Sequence, residues 1–426
     1  MKFIDLFAGL GGFHVGLSKL GHTCVFASEK NSELAELYSK NFGIECIGDI
    51  RKVESQEIPE HDILCAGFPC QPFSKAGSQL GLKDERGELF YEIARILDYH
   101  RPRFIFLENV ANLKRHDQGN TWDTIEAELR ALGYHHLRTK IISPHQFGIP
   151  QIRDRIFIIG SREKDDLESF SFPEGETMIS THVETILDTT IDEYDLLLPR
   201  QLECIEIWQE FIDVIPKRIP LPSFPIWAME FGATYPYEEL APHKYTNAYL
   251  RQFDGAFGKP LRGKTKQDIL SGLPSYAKTD KAKFPRWKKT FIRQNREWYQ
   301  LVKPFIDHLL PTIQSFPNSW QKFEWNCKGE ERDLYKLILQ FRASGLRTKR
   351  PQHAPSLVAS TLTQLPIIGW ELRYMTKNEA AKLQSLECIE LPDSKASAFK
   401  ALGNAVNADL VRMIAEKLWI NEAVKV

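Results

Sequence analysis

Cys70 stands in the run Pro69-Cys70-Gln71-Pro72-Phe73-Ser74, directly after the apolar stretch Ile63-Leu64-Cys65-Ala66-Gly67-Phe68. That pattern puts one thiol at the head of a loop leaving a buried strand. A nucleophilic cysteine needs solvent access and neighbours that favour the thiolate, so the loop mouth suits Cys70. Cys65, inside the strand, reads as a small apolar core residue. A second candidate is Glu108, the carboxylate that ends the apolar run Phe104-Ile105-Phe106-Leu107. A third is the pair Arg153 and Arg155 in Gln151-Ile152-Arg153-Asp154-Arg155: alternate positions leave one face of a strand together, and forks of fixed donors there can hold a carbonyl or phosphate oxygen.

The amino terminus supplies a place for a ligand. Phe3-Ile4-Asp5-Leu6-Phe7 reads as a buried strand running into the turn Ala8-Gly9-Leu10-Gly11-Gly12 and then a helix. Glycines there admit close approach to a bound molecule, and the helix start offers unpaired N–H groups. His14 takes the place of the third glycine of a dinucleotide fingerprint, so the expected ligand lacks a pyrophosphate. Glu29 ends the next strand-like run, the position from which a carboxylate grips ribose hydroxyls. In an open parallel sheet the ligand crevice lies outside the carboxyl ends of the strands, so Glu29, Glu108 and the loop carrying Cys70 are expected on one rim.

In the order of these motifs the chain resembles the DNA (cytosine-5) methyltransferases, over residues 1–165 and roughly 345–426. Phe7-Ala8-Gly9-Leu10-Gly11-Gly12 is similar to the family's cofactor loop, Gly48-Asp49-Ile50 to its adenine-side segment, and Pro69-Cys70-Gln71 to its nucleophile motif. Glu108-Asn109-Val110 resembles the base-contacting motif, Gln151-x-Arg153-x-Arg155 the arginine motif, and Gly403-Asn404-Ala405-Val406 the carboxyl-terminal segment that returns to the cofactor. Lys30, where the family commonly has an apolar residue, and Ala405, where a serine is frequent, depart from the pattern.

The resemblance implies S-adenosylmethionine as cofactor, with Phe7, Ala8, Gly9, Leu10, Gly11, Gly12, Glu29, Asp49, Ile50, Pro69, Leu89, Asn404 and Ala405 around it. It implies a catalytic set of Cys70, Glu108, Arg153 and Arg155. Cytosine C5 is a poor nucleophile, so Cys70 would first add to C6; Glu108, kept partly neutral by burial, would serve N3, and Arg155 would serve O2. Arg153 is expected to position the loop or a phosphate. A base inside a duplex cannot be reached by these groups, so the cytosine must flip out. A lid over 71–88 is expected to close on it, with Gln71, Ser74, Lys75, Ser78 and Arg86 contacting DNA.

Composition is ordinary for a soluble globular protein: 426 residues, 42% hydrophobic and 26% charged. The seven cysteines include no Cys-x-x-Cys pair, so neither zinc nor a disulfide framework is read from them. No signal peptide or membrane span is read, and a cytoplasmic monomer is expected. A net charge of −1 suits a DNA binder only if charge is segregated. Acidic residues gather over 188–213 and basic ones over 259–296, where Lys281, Lys283, Lys288 and Lys289 are expected to face phosphate. Double-stranded DNA is the expected partner, and any cognate restriction endonuclease is expected on a separate chain.

Strands are predicted at 3–7, 23–27, 44–47, 62–65, 104–108, 136–142 and 155–159, and helices near 12–19, 32–41, 88–99, 121–131 and 408–418. This is a doubly wound α/β domain with a mixed sheet, of the S-adenosylmethionine-dependent methyltransferase type. The expected division is a catalytic and cofactor domain over 1–185, a smaller irregular target-recognition domain over 186–345, hinge and supporting motifs over 346–400, and a returning helix over 401–426. Prolines at 216, 220, 222 and 225 break regular structure in the middle region. A tRNA cytosine-5 methyltransferase of the same family is the alternative, although such members usually carry Cys-Phe-Thr and neither Cys204 nor Cys327 is followed by Phe-Thr. A nicotinamide oxidoreductase would share the glycine turn but leave Cys70, Glu108 and the arginines without a role.

Overall fold

The structure is a computed structural model that describes residues 1–68, 88–176, 180–191, 195–357 and 364–419. The chain divides into two compact units, one of Met1–Thr190, Gln352–Leu362 and Thr376–Val426, the other of Ile191–Pro351 and Thr363–Met375.

The first unit is built on β1 (Lys2–Leu6), α1 (Gly12–Ser18), β2 (Thr23–Ser28), α2 (Ser32–Phe42), β3 (Cys46–Ile47), β4 (Ile63–Gly67), α3 (Glu88–His100), β5 (Phe104–Val110), α4 (Asn120–Ala131), β6 (His136–Ile142) and β7 (Arg155–Ser161). The sheet order is β3-β2-β1-β4-β5-β7-β6. β1, β2, β3, β4 and β5 run parallel, while β7 lies antiparallel to both β5 and β6. The apolar runs of the sequence follow from this, since strands covered on both faces alternate between two cores instead of between core and water. Ile4, Leu6, Leu64, Ala66, Ile105 and Leu107 fill one core, and Phe3, Ile63, Cys65, Phe104 and Phe106 the other.

The second unit holds α5 (Pro199–Asp213), β8 (Ile226–Trp227), α6 (Asn247–Leu250), α7 (Lys266–Ser271), α8 (Arg286–Ile306), α9 (Leu310–Ser315), β9 (Lys322–Glu324), β10 (Ile338–Arg342), β11 (Gly345–Lys349), β12 (Ile367–Ile368) and β13 (Arg373–Tyr374). Its sheet has the order β13-β12-β10-β11-β9-β8. Strands of two to five residues are too short to show a period, which is why this sheet is not read from the sequence. Trp208, Phe211, Phe323, Phe341 and Ile367 form part of its core.

α10 (Lys377–Lys382), α11 (Lys395–Asn404) and α12 (Ala408–Trp419) complete the first unit. A Cβ on Gly12 would lie 2.2 Å from the Val406 carbonyl oxygen, and one on Gly16 would lie 2.7 Å from that of Ala408. These two glycines, one turn apart on α1, let the carboxyl-terminal segment seat directly on the helix. Among the described residues no helix is long and apolar enough to cross a membrane.

Candidate active site

At the carboxyl end of β1 the chain turns sharply, with Phe7, Gly9 and Gly11 at φ of 55, 53 and 78°. The left-handed glycines bring the Gly9 N–H to 3.0 Å from Oε2 of Glu29, at the end of β2. Oε1 of the same carboxylate accepts from the Asn31 N–H at 2.9 Å. Held by two backbone donors, Glu29 keeps the remaining lone pairs of both oxygens for a ligand's hydroxyls.

Beside it lies a cavity of about 550 Å³, lined by Asp5, Phe7, Ala8, Gly9, Gly12, Phe13, Glu29, Lys30, Asn31, Glu33, Leu34, Gly67, Ser397, Lys400, Ala401, Asn404, Ala405 and Val406. Its volume, with one carboxylate at the wall and apolar side chains beside it, is that of a site for a small organic molecule. Other predicted cofactor residues are elsewhere. Leu10 is buried, and a Cβ on Gly11 would meet the Phe42 ring, so both serve the packing of the turn. Asp49 accepts from its own Arg51, Ile50 enters the core, and half-buried Leu89 on α3 lies outside the cavity lining. Ser397, Lys400 and Ala401 were not anticipated; the spacing with Asn404 is one face of α11, a helix the sequence reading did not assign.

Under the turn, His14 stacks on Phe42 with ring centroids 4.0 Å apart and its Nδ1 lies 2.7 Å from the Tyr38 hydroxyl. Burial pushes this imidazole down to about 4, so it is neutral at physiological pH. Buried Asp5, which accepts from Tyr38 at 3.3 Å, is held well above the ordinary carboxylate range by desolvation.

Glu108, near the end of β5, is 6% exposed, and Nε of Arg155 at the start of β7 lies 2.9 Å from its Oε1. Residues 108 and 155 are brought together by the antiparallel pairing of their strands. Burial raises the Glu108 carboxyl, and the opposing pull of Arg155 and then Arg153 does not cancel it. On the other side, a Cβ on Gly67 would stand 3.8 Å from Oε2 of Glu108. Gly67 also lines the cavity, so the carboxyl and the cavity share one wall.

Arg153 does not share a strand face with Arg155. β7 begins only at Arg155, and the preceding residues run beside a different segment, with Gln151 bridged to Ala354. The buried Arg153 guanidinium donates from Nη1 to the Gly403 carbonyl at 2.9 Å and from Nη2 to that of Ala405 at 2.8 Å. Those carbonyls lie at the carboxyl end of α11, where helix geometry leaves acceptors unpaired and a cation is favoured. Desolvation lowers Arg153 to about 9, still charged at neutral pH. On β5, Asn109, which follows Glu108, donates from Nδ2 to the Phe68 carbonyl at 2.8 Å, two residues before Cys70.

Pro69, Cys70, Gln71, Ser74, Lys75, Ser78 and Arg86 lie outside the described residues, as does the predicted lid up to residue 87. Of the four predicted phosphate lysines, Lys281 and Lys283 are exposed. Lys288 donates to the Tyr276 carbonyl at 2.8 Å, and Lys289 donates to that of Glu238. Among the described residues no cluster of three or more metal-ligating side chains occurs.

The chain is 30% identical over 478 residues to the Type II methyltransferase M.AluI of Cellulosimicrobium cellulans, covering 97% of this chain and 91% of that protein. It is 40% identical over 221 residues to the Type II methyltransferase M.HhaI of Haemophilus parahaemolyticus, covering 52% and 67%. The solved structure of the Dnmt2 methyltransferase of S. pombe superposes with a TM-score of 0.50 at 18% identity over 100% of both chains, a likeness of fold alone. The sequence profile of the C-5 cytosine-specific DNA methylase family matches residues 1–419, and the chain belongs to that family.

Proposed function

We propose that the chain methylates C5 of a cytosine flipped out of double-stranded DNA, through a covalent adduct of Cys70, with S-adenosylmethionine as donor. The reading extends to a restriction-modification system whose endonuclease is a separate chain, and to action as a cytoplasmic monomer. The observation that carries it is the buried Glu108 carboxyl, raised by desolvation, paired with Arg155 and sharing the Gly67 wall with the cavity that holds Glu29.

The first task of the chain is to make C5 nucleophilic. The Cys70 thiolate bonds to C6, and the electron pair of the C5–C6 double bond moves towards N3 and O2 of the ring. Glu108, whose carboxyl is raised by burial, gives in its protonated form a proton or a hydrogen bond to N3. Arg155, held by Glu108, offers its other guanidinium N–H groups to O2. When bound, S-adenosylmethionine supplies an electrophilic sulfonium methyl group. Glu29, Phe7 and the Gly9 turn, with Asn404 and Ala405 opposite, bind and orient it. Arg153 acts at one remove, fixing the Gly403 and Ala405 backbone that forms this wall. Loss of the C5 proton restores the ring double bond and expels the Cys70 thiolate.

Expression in a host without cytosine methylation, followed by bisulfite sequencing, tests this. Protected cytosines at one short recurring sequence are expected. A genome converted throughout, with the protein folded and abundant, would overturn the proposal.

A further inference from the structure

In the second unit β9, β10 and β11 turn one face to the core, where Phe323, Leu339, Phe341 and Leu346 are buried. Strand alternation sends Lys322, Arg342, Arg347 and Lys349 to the opposite face, where they surround the buried Ile338, Gln340 and Glu324. Arg347 pairs with Glu324 at 2.5 Å, and Lys322 donates to the Ala343 carbonyl at 3.2 Å. Arg342 and Lys349, both half-buried, have no carboxylate partner among the described residues. The cations also feel one another: Arg342 and Lys349 are each lowered by burial and then by Arg347, with Glu324 opposing this at Arg342, and Lys322 is lowered by burial, opposed by Glu324 and reinforced by Lys288.

Four cations gathered around one carboxylate, Glu324, leave an excess of like charge on half-buried groups, which is unfavourable and is relieved when an anion arrives. Three adjacent strands spread these groups over roughly 10 Å across the sheet, at about 4.8 Å per strand, and the register that pairs Arg342 with Gly345 and Lys349 with Ile338 spreads them over roughly 13 Å along it, at about 3.4 Å per residue. One small anion cannot touch them all, whereas a chain of phosphates can. The sequence groups Arg342, Arg347 and Lys349 in one short run, and the sheet adds Lys322 to them.

We propose that this polar sheet face, centred on Arg342 and Lys349, seats the phosphate backbone of the duplex substrate. The inference rests on the methyltransferase reading above and names a surface for it outside the basic run at 259–296. These groups bind phosphate, so they contribute affinity and salt dependence and no base readout.

The test is the dissociation constant of the full chain for a duplex across a salt series, for wild type, Arg342→Gln/Lys349→Gln and Arg342→Lys/Lys349→Arg. Each phosphate contact contributes about 0.9 to the slope of log affinity against log salt, so the Gln pair should flatten it by about 1.8. Between 50 and 200 mM salt that is about a tenfold smaller loss of affinity. The charge-preserving pair should keep the wild-type slope, and an unchanged or higher melting midpoint for the Gln pair, from which unpaired like charges have been removed, shows that it is folded. Lys349→Gln alone should give half the flattening. An unchanged slope in the Gln variants of a wild type that binds and methylates duplex DNA overturns the assignment of this face. A wild type that neither binds nor methylates duplexes overturns the methyltransferase reading itself.

Discussion

Nε of Arg155 lies 2.9 Å from Oε1 of Glu108, and this one contact joins the start of β7 to the end of β5 at the rim of the sheet. It sets the carboxyl between two opposing influences. Burial raises it and the guanidinium lowers it, with burial the larger.

From that balance, Glu108→Gln should slow methyl transfer by about two orders of magnitude or more, the usual contribution of a positioned general acid, while leaving cofactor affinity near wild type. Because the active form is the protonated one, the wild-type rate should fall as pH rises through the raised value. The Gln variant should lack that descending limb. Single-turnover rates across pH check both, and a Gln variant with near-normal turnover moves the proton donor elsewhere.

Cys70→Ala should abolish methylation and leave duplex binding largely intact, since it removes addition to C6 and no phosphate contact. DNA carrying 5-fluorocytosine at the target should trap the wild type covalently, because fluorine cannot leave as a proton. Peptide mapping of the adduct should identify Cys70.

Arg153→Ala leaves the Gly403 and Ala405 carbonyls without the donors they now have. Each orphaned buried carbonyl costs about 1–3 kcal/mol, so denaturant titration should show a clear loss of stability. The KM for the cofactor should rise more than kcat falls, because the residue supports a wall of the cavity. Arg155→Ala should do the reverse, lowering kcat with little change in cofactor affinity.

Gly12→Ala places a methyl group 2.2 Å from the Val406 carbonyl oxygen, a distance no side chain tolerates. Backbone must move, at a cost of about 1–3 kcal/mol typical of overpacking, and the Ala405–Val406 side of the cavity moves with it. Isothermal titration should show weaker cofactor binding alongside a lower melting midpoint. Gly12 is not in the left-handed region, so the loss reports the clash alone.

Much of the first unit was legible in the chain because its physics is local. Strands covered on both faces are continuous apolar runs whatever their direction, so β1, β4, β5 and antiparallel β7 read directly, and a carboxylate or a glycine turn at the end of such a run stands at the rim of the sheet. That Glu29, Glu108 and the glycine turn stand at strand ends needed no three-dimensional information. What the arginines do was decided only in space. Spacing alone put Arg153 and Arg155 on one face, but pairing of residues near 151 with Ala354 turns Arg153 onto the end of α11, some 250 positions away in sequence, and leaves Arg155 to Glu108. The second sheet was equally invisible, since strands as short as Ile226–Trp227 carry no period. The cations it gathers from β9, β10 and β11 become one surface only when those strands pair, because charge patches are properties of neighbours in space and the sequence orders neighbours along the chain.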